Sequence, residues 1–375
     1  MMLPIEVKIV LERLENHGYE AYLVGGAVRS ILLNDVIKDY DVTTSADPNA
    51  ISLIFQDYTQ FKIGQKHGTV VVLIDKTKID ITPYRTEKDY LDHRHPNYVE
   101  FTDSLIEDLK RRDFTINALC MDKNENITDL FDGINDIKNK TIKAIGNPNA
   151  RFNEDALRIL RALRFKAKLG FDIEENTKNA LINNSHLLLK ISRERIKDEV
   201  LGLLDYKSAY NTIKEYSGVF DKFIQYDIPD RDNDFSNSFY ALAYLIRNKD
   251  NNLKELKFSS KEIDLLEHLI KATHININSD YEFICSLSNA YTKDVLRFLE
   301  QLHHLDLSSA YNKLKGYIVT LNDLDISGNE IMEFGYSGKQ ISEIKNKLLE
   351  QIHRKKLQNI NAELKNWIMK KEYNY

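Results

Sequence analysis

The chain has 375 residues, 29% of them charged and 42% hydrophobic, with a formal net charge of -5. That length holds two or three domains, and that balance is ordinary for a soluble globular protein. It excludes a chain that binds nucleic acid through overall basicity, so any RNA contact has to come from a local patch.

The two cysteines, Cys120 and Cys285, lie far apart and lack metal-ligand spacing, as expected of incidental thiols in a reducing compartment. Near the N-terminus Glu6, Lys8, Glu12, Arg13 and Glu15 interrupt the apolar pattern, which argues against a secretory leader. No apolar run approaches the length of a membrane span, and the expected location is the cytoplasm.

Leu3, Val7, Val10, Leu11 and Leu14 have helical spacing, and Gly18 is placed to end that helix. Ala21 to Val24 reads as a short strand, Gly25-Gly26 as a turn and Ala27 to Leu33 as a helix. Asp39 to Thr43 reads as a second strand, and Thr69 to Ile74 with Lys78 to Thr82 as a pair around the turn Asp75-Lys76. Strands mixed with helices continue to Gly146-Asn147-Pro148, where the pattern breaks. From Glu154 onward nearly everything is helix-periodic, apart from short polar loops and a longer one over Asp227 to Ser238 around Pro229. No internal repeat is evident.

Four stretches carry chemistry. Gly25-Gly26 lets the backbone approach a phosphate at a helix N-terminus, and Arg29 one turn later adds donors. Taken alone, this is equally a plain strand-to-helix turn with a surface arginine. Asp39 and Asp41 are two residues apart, so a strand would turn both to one face, where they repel unless a cation lies between them. Mg²⁺ suits such a pair, because it completes its shell with water and phosphate. Asp80, between Ile79 and Ile81, is a third candidate carboxylate. The other reading of these acids is a solvated strand edge.

Lys110-Arg111-Arg112 leads into Asp113 and Asn117, about a helical turn apart, which suit phosphate and ribose contacts or else a solvated basic helix start. In Glu154 to Phe165, Asp155, Arg158, Arg161 and Arg164 recur every three residues, forming a polar ridge opposite Leu157, Leu160 and Leu163. Asp155 can accept from an exocyclic amine and Arg158 can donate to a ring nitrogen. Adenine and cytosine both present that pair of groups, whereas guanine and uracil put a carbonyl where the amine would be. By spacing alone the same residues are a surface ion pair.

In their order along the chain, these stretches resemble the tRNA nucleotidyltransferase (CCA-adding enzyme) and bacterial poly(A) polymerase family. The resemblance rests on Leu23 to Arg29, Asp39 to Thr44, Arg111 to Ala118, Asp129 to Gly133, Glu154 to Arg158 and Ser192 to Ile196. It implies an α/β, mixed-sheet nucleotidyltransferase head over 1–147 and an all-α neck over 148–206. A helical body over 207–320 and a tRNA-binding tail over 321–375 follow, which is the class II architecture. Asp39 and Asp41 match the Mg²⁺ ligands of the family, and Asp80 falls where it usually has a third acid, often Glu.

Gly26 and Arg29 match nucleotide-binding positions of the family and Arg112 a residue that contacts the nucleotide, while Gly25, Asp113 and Asn117 stand beside them as nucleotide-binding candidates from their chemistry. Asp155 and Arg158 match the pair that templates the base, and Arg161 and Arg164 match further basic positions of the same helix. Ser192 to Ile196 matches a segment that braces it. Arg85, Thr86, Glu87, Tyr90, Asp92, Arg94, His95, Pro96 and Val99 to Phe101 resemble the loop segment of enzymes that add the complete CCA. Asp325 to Gly328 and Gly335 to Gly338 resemble the tail that grips the tRNA elbow.

The implied activity is addition of C, C and A to the 3′ end of tRNA from CTP and ATP with Mg²⁺, releasing pyrophosphate. The implied partner is the acceptor arm and elbow of tRNA, with no membrane and no obligatory protein partner. Alternatives are an A-adding or poly(A) polymerase on the same scaffold, a catalytically silent RNA-binding homologue, and a small-molecule nucleotidyltransferase.

Overall fold

The computed structural model describes residues 3–63, 68–90 and 96–372. Asp92, Arg94 and His95 of the expected loop segment lie outside them. The chain divides into two compact units, one ending at Ile224 and one beginning at Gln225.

The first unit opens with α1 (Ile5–Asn16), whose Val7, Val10, Leu11 and Leu14 are fully buried, as their spacing predicts. Strand β1 (Ala21–Val24) runs into α2 (Gly26–Leu33) through Gly25, whose φ of 70° falls where a side chain would be strained. Then follow β2 (Tyr40–Thr44), α3 (Pro48–Ile54), β3 (Thr59–Ile63), β4 (Thr69–Ile74) and β5 (Thr77–Pro83). A hairpin of β6 (Arg85–Tyr90) and β7 (Pro96–Phe101) occupies the loop segment and leads to α4 (Leu105–Lys110). Strands β8 (Leu119–Met121) and β9 (Ile127–Asp129) complete a seven-stranded sheet of order β3-β4-β5-β2-β1-β8-β9. It is mixed: β2 and β5 are parallel and the other neighbours antiparallel.

Strand β2 starts one residue later than expected, because its ladder with β5 begins at Tyr40 opposite Ile79. Asp39 therefore precedes the strand, and Asp41 sits within it.

Past α5 (Gly133–Lys138) and β10 (Thr141–Ile142) the unit becomes helical. Helix α6 (Pro148–Glu154) begins where Asn147 caps the Ala150 N–H and Pro148 cannot donate. It is followed by α7 (Leu157–Leu169), the short β11 (Asp172–Ile173), α8 (Glu175–Asn184) and α9 (Arg193–Leu204), and α9 packs on α7.

In the second unit every regular element among the described residues is a helix. The expected loop runs from Asp227 to Asn237, whose side chain caps the helix Ser238–Ile246. Toward the C-terminus, Lys339–His353 and Asn361–Glu372 bury Ile344, Leu348, Ile352, Leu364 and Ile368 in one cluster. Among the described residues no helix is long and apolar enough to cross a membrane.

Candidate functional site

Within the first unit a cleft of about 580 Å³ lies between the sheet's glycine turn and helix α7. It is lined by Gly25, Gly26, Asp39, Asp41 and Arg112 on one side and by Asp155, Arg158, Arg161, Arg164 and Lys168 on the other.

Sheet register brings the first group together. Val24, just before the glycine turn, stands opposite Asp41, and Asp41 stands beside Asp80 on β5. Asp41 is open to the cleft, yet its carboxyl is pushed above the usual range. Desolvation is the largest cause, Arg112 opposes it, and the like charges of Asp80 and Asp39 add to it. Asp80 is partly satisfied elsewhere, by Lys78 Nζ at 3.1 Å, and does not line the cleft.

Among the described residues no group of three or more His, Cys, Asp or Glu side chains could by itself hold a metal ion. Asp39 and Asp41 instead offer a two-carboxylate edge facing water, with surplus negative charge. That is the donor set of a hard cation that keeps open positions for phosphate oxygens.

Arg112 is held from behind. Asp108, fully buried on α4, takes its Nη2 at 3.2 Å, takes Arg111 Nη2 at 2.7 Å, and accepts from Thr43 Oγ1 of β2 at 3.2 Å. Desolvation opposes ionisation of Asp108, but Arg111 and Arg112 outweigh it and hold its carboxyl below the ordinary range. Arg112 Nε is buried without a hydrogen-bond partner, and Nη1 lies against Gly25, where a Cβ would come within 3.4 Å. A guanidinium nitrogen, Nη1, beside a glycine turn suits an incoming anion.

Arg29 and Asn117 are less open than expected. Arg29 is 4% exposed, and its Nη1 donates to Asn117 Oδ1. Asn117 Nδ2 donates in turn to Asp113 Oδ1 at 3.0 Å, and Arg161 closes the chain on Asp113 Oδ2 at 2.6 Å. Burial would raise Asp113, but Arg161, Asn117 and the Phe114 N–H overcome it and hold the carboxyl at about 2.

The ridge expected over Asp155 to Arg164 is broken. Asp155 is extended (φ −135°, ψ 103°) between α6 and α7, so only Arg158, Arg161 and Arg164 share a helix. Nor do Asp155 and Arg158 pair with each other. Asp155 receives Arg195 Nη2 of α9 at 2.9 Å and the Leu157 N–H at 3.1 Å. Arg158, 7% exposed, gives Nη1 to Glu154 at 2.8 Å and to the Arg151 carbonyl at 3.1 Å, and Nη2 to the Arg111 carbonyl at 2.7 Å. Each side chain is thus fixed by partners other than its presumed mate. Of the five guanidinium N–H groups of Arg158, these contacts leave Nε–H and one Nη2–H.

Sequence reasoning missed Asp108, Glu199 and Phe165. Asp108 was legible as an acid three and four residues before Arg111 and Arg112. Glu199, buried on α9, forms an ion pair with Arg164, Nε to Oε2 at 3.2 Å, and Gly202 on the same helix leaves room for Arg164, whose Cδ would stand 3.1 Å from a Cβ there. Phe165 lies in an apolar run, and nothing in its spacing marks it.

The chain matches family models for the poly A polymerase head domain over residues 21–143 and for the probable RNA and SrmB-binding site of polymerase A over 170–217. It is 49% identical over 207 residues to the CCA-adding enzyme of Lactobacillus delbrueckii subsp. bulgaricus, covering 55% of this chain and 52% of that protein. In matches of that kind the chain spans about half the length of its relatives. A solved CCA-adding enzyme of Bacillus stearothermophilus, in complex with CTP, superposes with a TM-score of 0.81 at 27% identity, covering 100% of this chain and 99% of that one. To the CCA-adding enzyme of Staphylococcus saprophyticus the chain is 34% identical over 388 residues, covering 96% of itself and 97% of the relative. With that likeness running nearly end to end, the protein belongs to the family of CCA-adding enzymes.

Proposed function

We propose that this protein adds C, C and A to the 3′ end of tRNA from CTP and ATP, releasing pyrophosphate, with Mg²⁺ held by Asp39 and Asp41. The observation that carries this reading is the convergence, in one cleft, of an acidic edge, a glycine turn and the Asp155 and Arg158 side chains. A relative of the same architecture is described in complex with CTP.

When bound, Mg²⁺ supplies neutralisation of charge at the transferred phosphoryl and on the leaving pyrophosphate. The chain's own residues do the rest. The turn at Gly25-Gly26 and the Arg112 guanidinium, whose Nη1 lies against Gly25, receive phosphate oxygens. Asp80, beside Asp41, adds to the negative field that draws the cation in. Asp113 and Asn117 hold Arg161 and Arg29 in place and border the ribose.

Asp155, pinned by Arg195, accepts from the exocyclic amine, and the two spare N–H groups of Arg158 donate to the neighbouring ring acceptor. Adenine and cytosine satisfy both, whereas uracil and guanine would set a carbonyl against a carboxylate. The same neck serves both nucleotides because it reads only the edge they share.

The head over 1–147 and neck over 148–206 form this site, and the body over 207–320 and tail over 321–375 bind the tRNA arm and elbow by shape and phosphate contacts. No obligatory protein partner is part of the proposal, and the cytoplasm is its place of action.

The test is incorporation of labelled CTP and ATP, separately and together, into tRNA lacking its last three nucleotides. Two C residues are expected with CTP alone and one A once ATP is added. Addition of A only to tRNA already ending in CC, or a long A tail on generic RNA, would keep the cleft chemistry and overturn the specificity. No incorporation by folded protein would leave an RNA-binding homologue. Asp155→Ala or Arg158→Ala is expected to cut the preference for CTP over UTP by roughly tenfold to a hundredfold, the worth of one or two hydrogen bonds. Competition assays measure this, and an unchanged preference removes the templating role.

A further inference from the structure

We infer that Asp108 is a positioning residue: its buried carboxylate holds Arg112 away from Asp41, so the acidic edge stays open to a cation while the guanidinium faces the glycine turn. The inference rests on the proposed nucleotidyl transfer and adds to it the group that keeps the cation and phosphate sites apart.

Asp108 stands near the end of α4, and the backbone is still helical at Arg111 (φ −75°, ψ −11°). Arg111 and Arg112, three and four residues on, therefore fold back onto the same carboxylate. Oδ1 accepts from Arg111 Nε at 3.0 Å and from Arg111 Nη2 at 2.7 Å. It also accepts from the Arg85 N–H, at the start of the β6–β7 hairpin, at 3.3 Å. Oδ2 accepts from Arg112 Nη2 at 3.2 Å and from Thr43 Oγ1 at 3.2 Å. Donors from three segments of the chain thus fix one fully buried side chain.

Asp41 competes for the same arginine. Residues two apart on a strand share a face, so Thr43 places Asp108 on the side of β2 to which Asp41 also belongs. After desolvation, Arg112 is the largest influence on the Asp41 carboxyl and outweighs every other charge there. Yet among the described residues neither Asp41 nor Asp39 has a hydrogen bond or an ion pair. Burial decides the contest. A buried carboxylate that loses a donor has no water to replace it, whereas Asp41 opens on the cleft and is served by water. With Nη2 held by Asp108, Nη1 is left beside Gly25.

Asp108→Asn leaves one oxygen where the carboxylate has two. Arg111 and the Arg85 N–H, which share Oδ1, keep that oxygen, and the amide NH₂ then meets Arg112 Nη2, donor against donor. The released guanidinium turns to Asp41, the carboxylate of the acidic edge that already feels its charge, and covers the place of the cation.

The experiment measures Mn²⁺ binding to the nucleotide-free protein by electron paramagnetic resonance, in the parent, Asp108→Asn, Arg112→Ala and the double variant. Asp108→Asn is expected to weaken Mn²⁺ binding by roughly tenfold, the scale of one ion pair that has to break before the cation enters. Its KM for CTP and for ATP should rise alike by roughly tenfold, the worth of one charge-assisted hydrogen bond, with the KM for tRNA unchanged. In the double variant Mn²⁺ binding should return to that of Arg112→Ala, because the arginine that covers the edge is gone. Weakening that persists in the double variant would trace the effect to the fold or to the Asp108 charge itself and overturn the inference. Parent-like Mn²⁺ binding in Asp108→Asn would overturn it too. Asp108→Ser, which leaves room for water in place of the carboxylate, repeats the comparison if the amide variant does not fold. If the parent folds and binds Mn²⁺ but incorporates nothing, the transfer reading fails by itself, and the comparison of Mn²⁺ binding still decides the role of Asp108.

Discussion

Asp41→Asn is expected to abolish nucleotide incorporation, by roughly a thousandfold or more, without lowering the melting temperature. The size of the loss is that of several kcal/mol of charge stabilisation at the transferred phosphoryl. The stability half of the prediction comes from the sign of the Asp41 shift. Desolvation, with Asp80 and Asp39, raises its carboxyl above the ordinary range against the pull of Arg112. A carboxylate whose folded pKa is raised destabilises the folded chain once it is ionised, and the penalty disappears as pH falls through the folded value. The amide keeps the shape and drops the repulsion, so the folded chain loses nothing. Primer-extension rates and thermal unfolding on the same preparation check this. Near-parental incorporation would remove Asp41 from the reaction, and a marked fall in melting temperature would make its role structural.

Asp113→Asn reverses the pattern, since there the carboxylate holds the site together. Its carboxyl is held at about 2, below the unperturbed 3.8, because Arg161, Asn117 and the Phe114 N–H outweigh its burial. The difference is worth about 2 kcal/mol of folding free energy at neutral pH. A depressed carboxyl contributes fully above its unfolded value, and the contribution is lost as pH falls through about 2. Denaturant unfolding of parent and variant should therefore differ by about that amount at pH 7 and converge as the pH is lowered below about 4. Equal stabilities at pH 7 would contradict the assignment. The activity consequence is separate. Asp113 fixes Asn117 and Arg161, and Asn117 fixes Arg29, so the variant loosens donors on both walls of the cleft. A misplacement on the order of 1 Å costs about a hundredfold in kcat/KM, which is the loss expected here for CTP.

The two variants differ because the same residue type has opposite surroundings. Asp41 has Asp80 beside it across a parallel ladder and Asp39 two residues back, whereas Asp113 is enclosed by donors. Neither environment is visible as a local pattern, although both positions are.

Much of the architecture was legible in the chain. Periodic Val7, Val10, Leu11 and Leu14 gave the first helix, since such spacing buries one face. Gly25 gave the strand-to-helix turn, because its φ of 70° disfavours a side chain. The polar run after Asp227 gave the loop that precedes the helix at Ser238. These are local constraints, set within a few residues by backbone sterics and burial, and they also carried the order of motifs by which the family was recognised.

What only the tertiary structure decided are the partners. Sequence spacing put Asp155 and Arg158 on one helical ridge, but Asp155 lies ahead of the helix and is held by Arg195, forty residues on. Sequence left Arg29 as a phosphate donor or a surface arginine, and the fold buries it against Phe165 and Asn117. Glu199 had no motif to announce it, because its role depends on which arginines stand beside it in space. The sequence by itself determined the element types, the mixed-sheet head followed by helices, and the identity of the chemical groups. The structure decided which charges face each other and which are left unpaired, because Coulomb energy and desolvation depend on distance and burial rather than on separation along the chain.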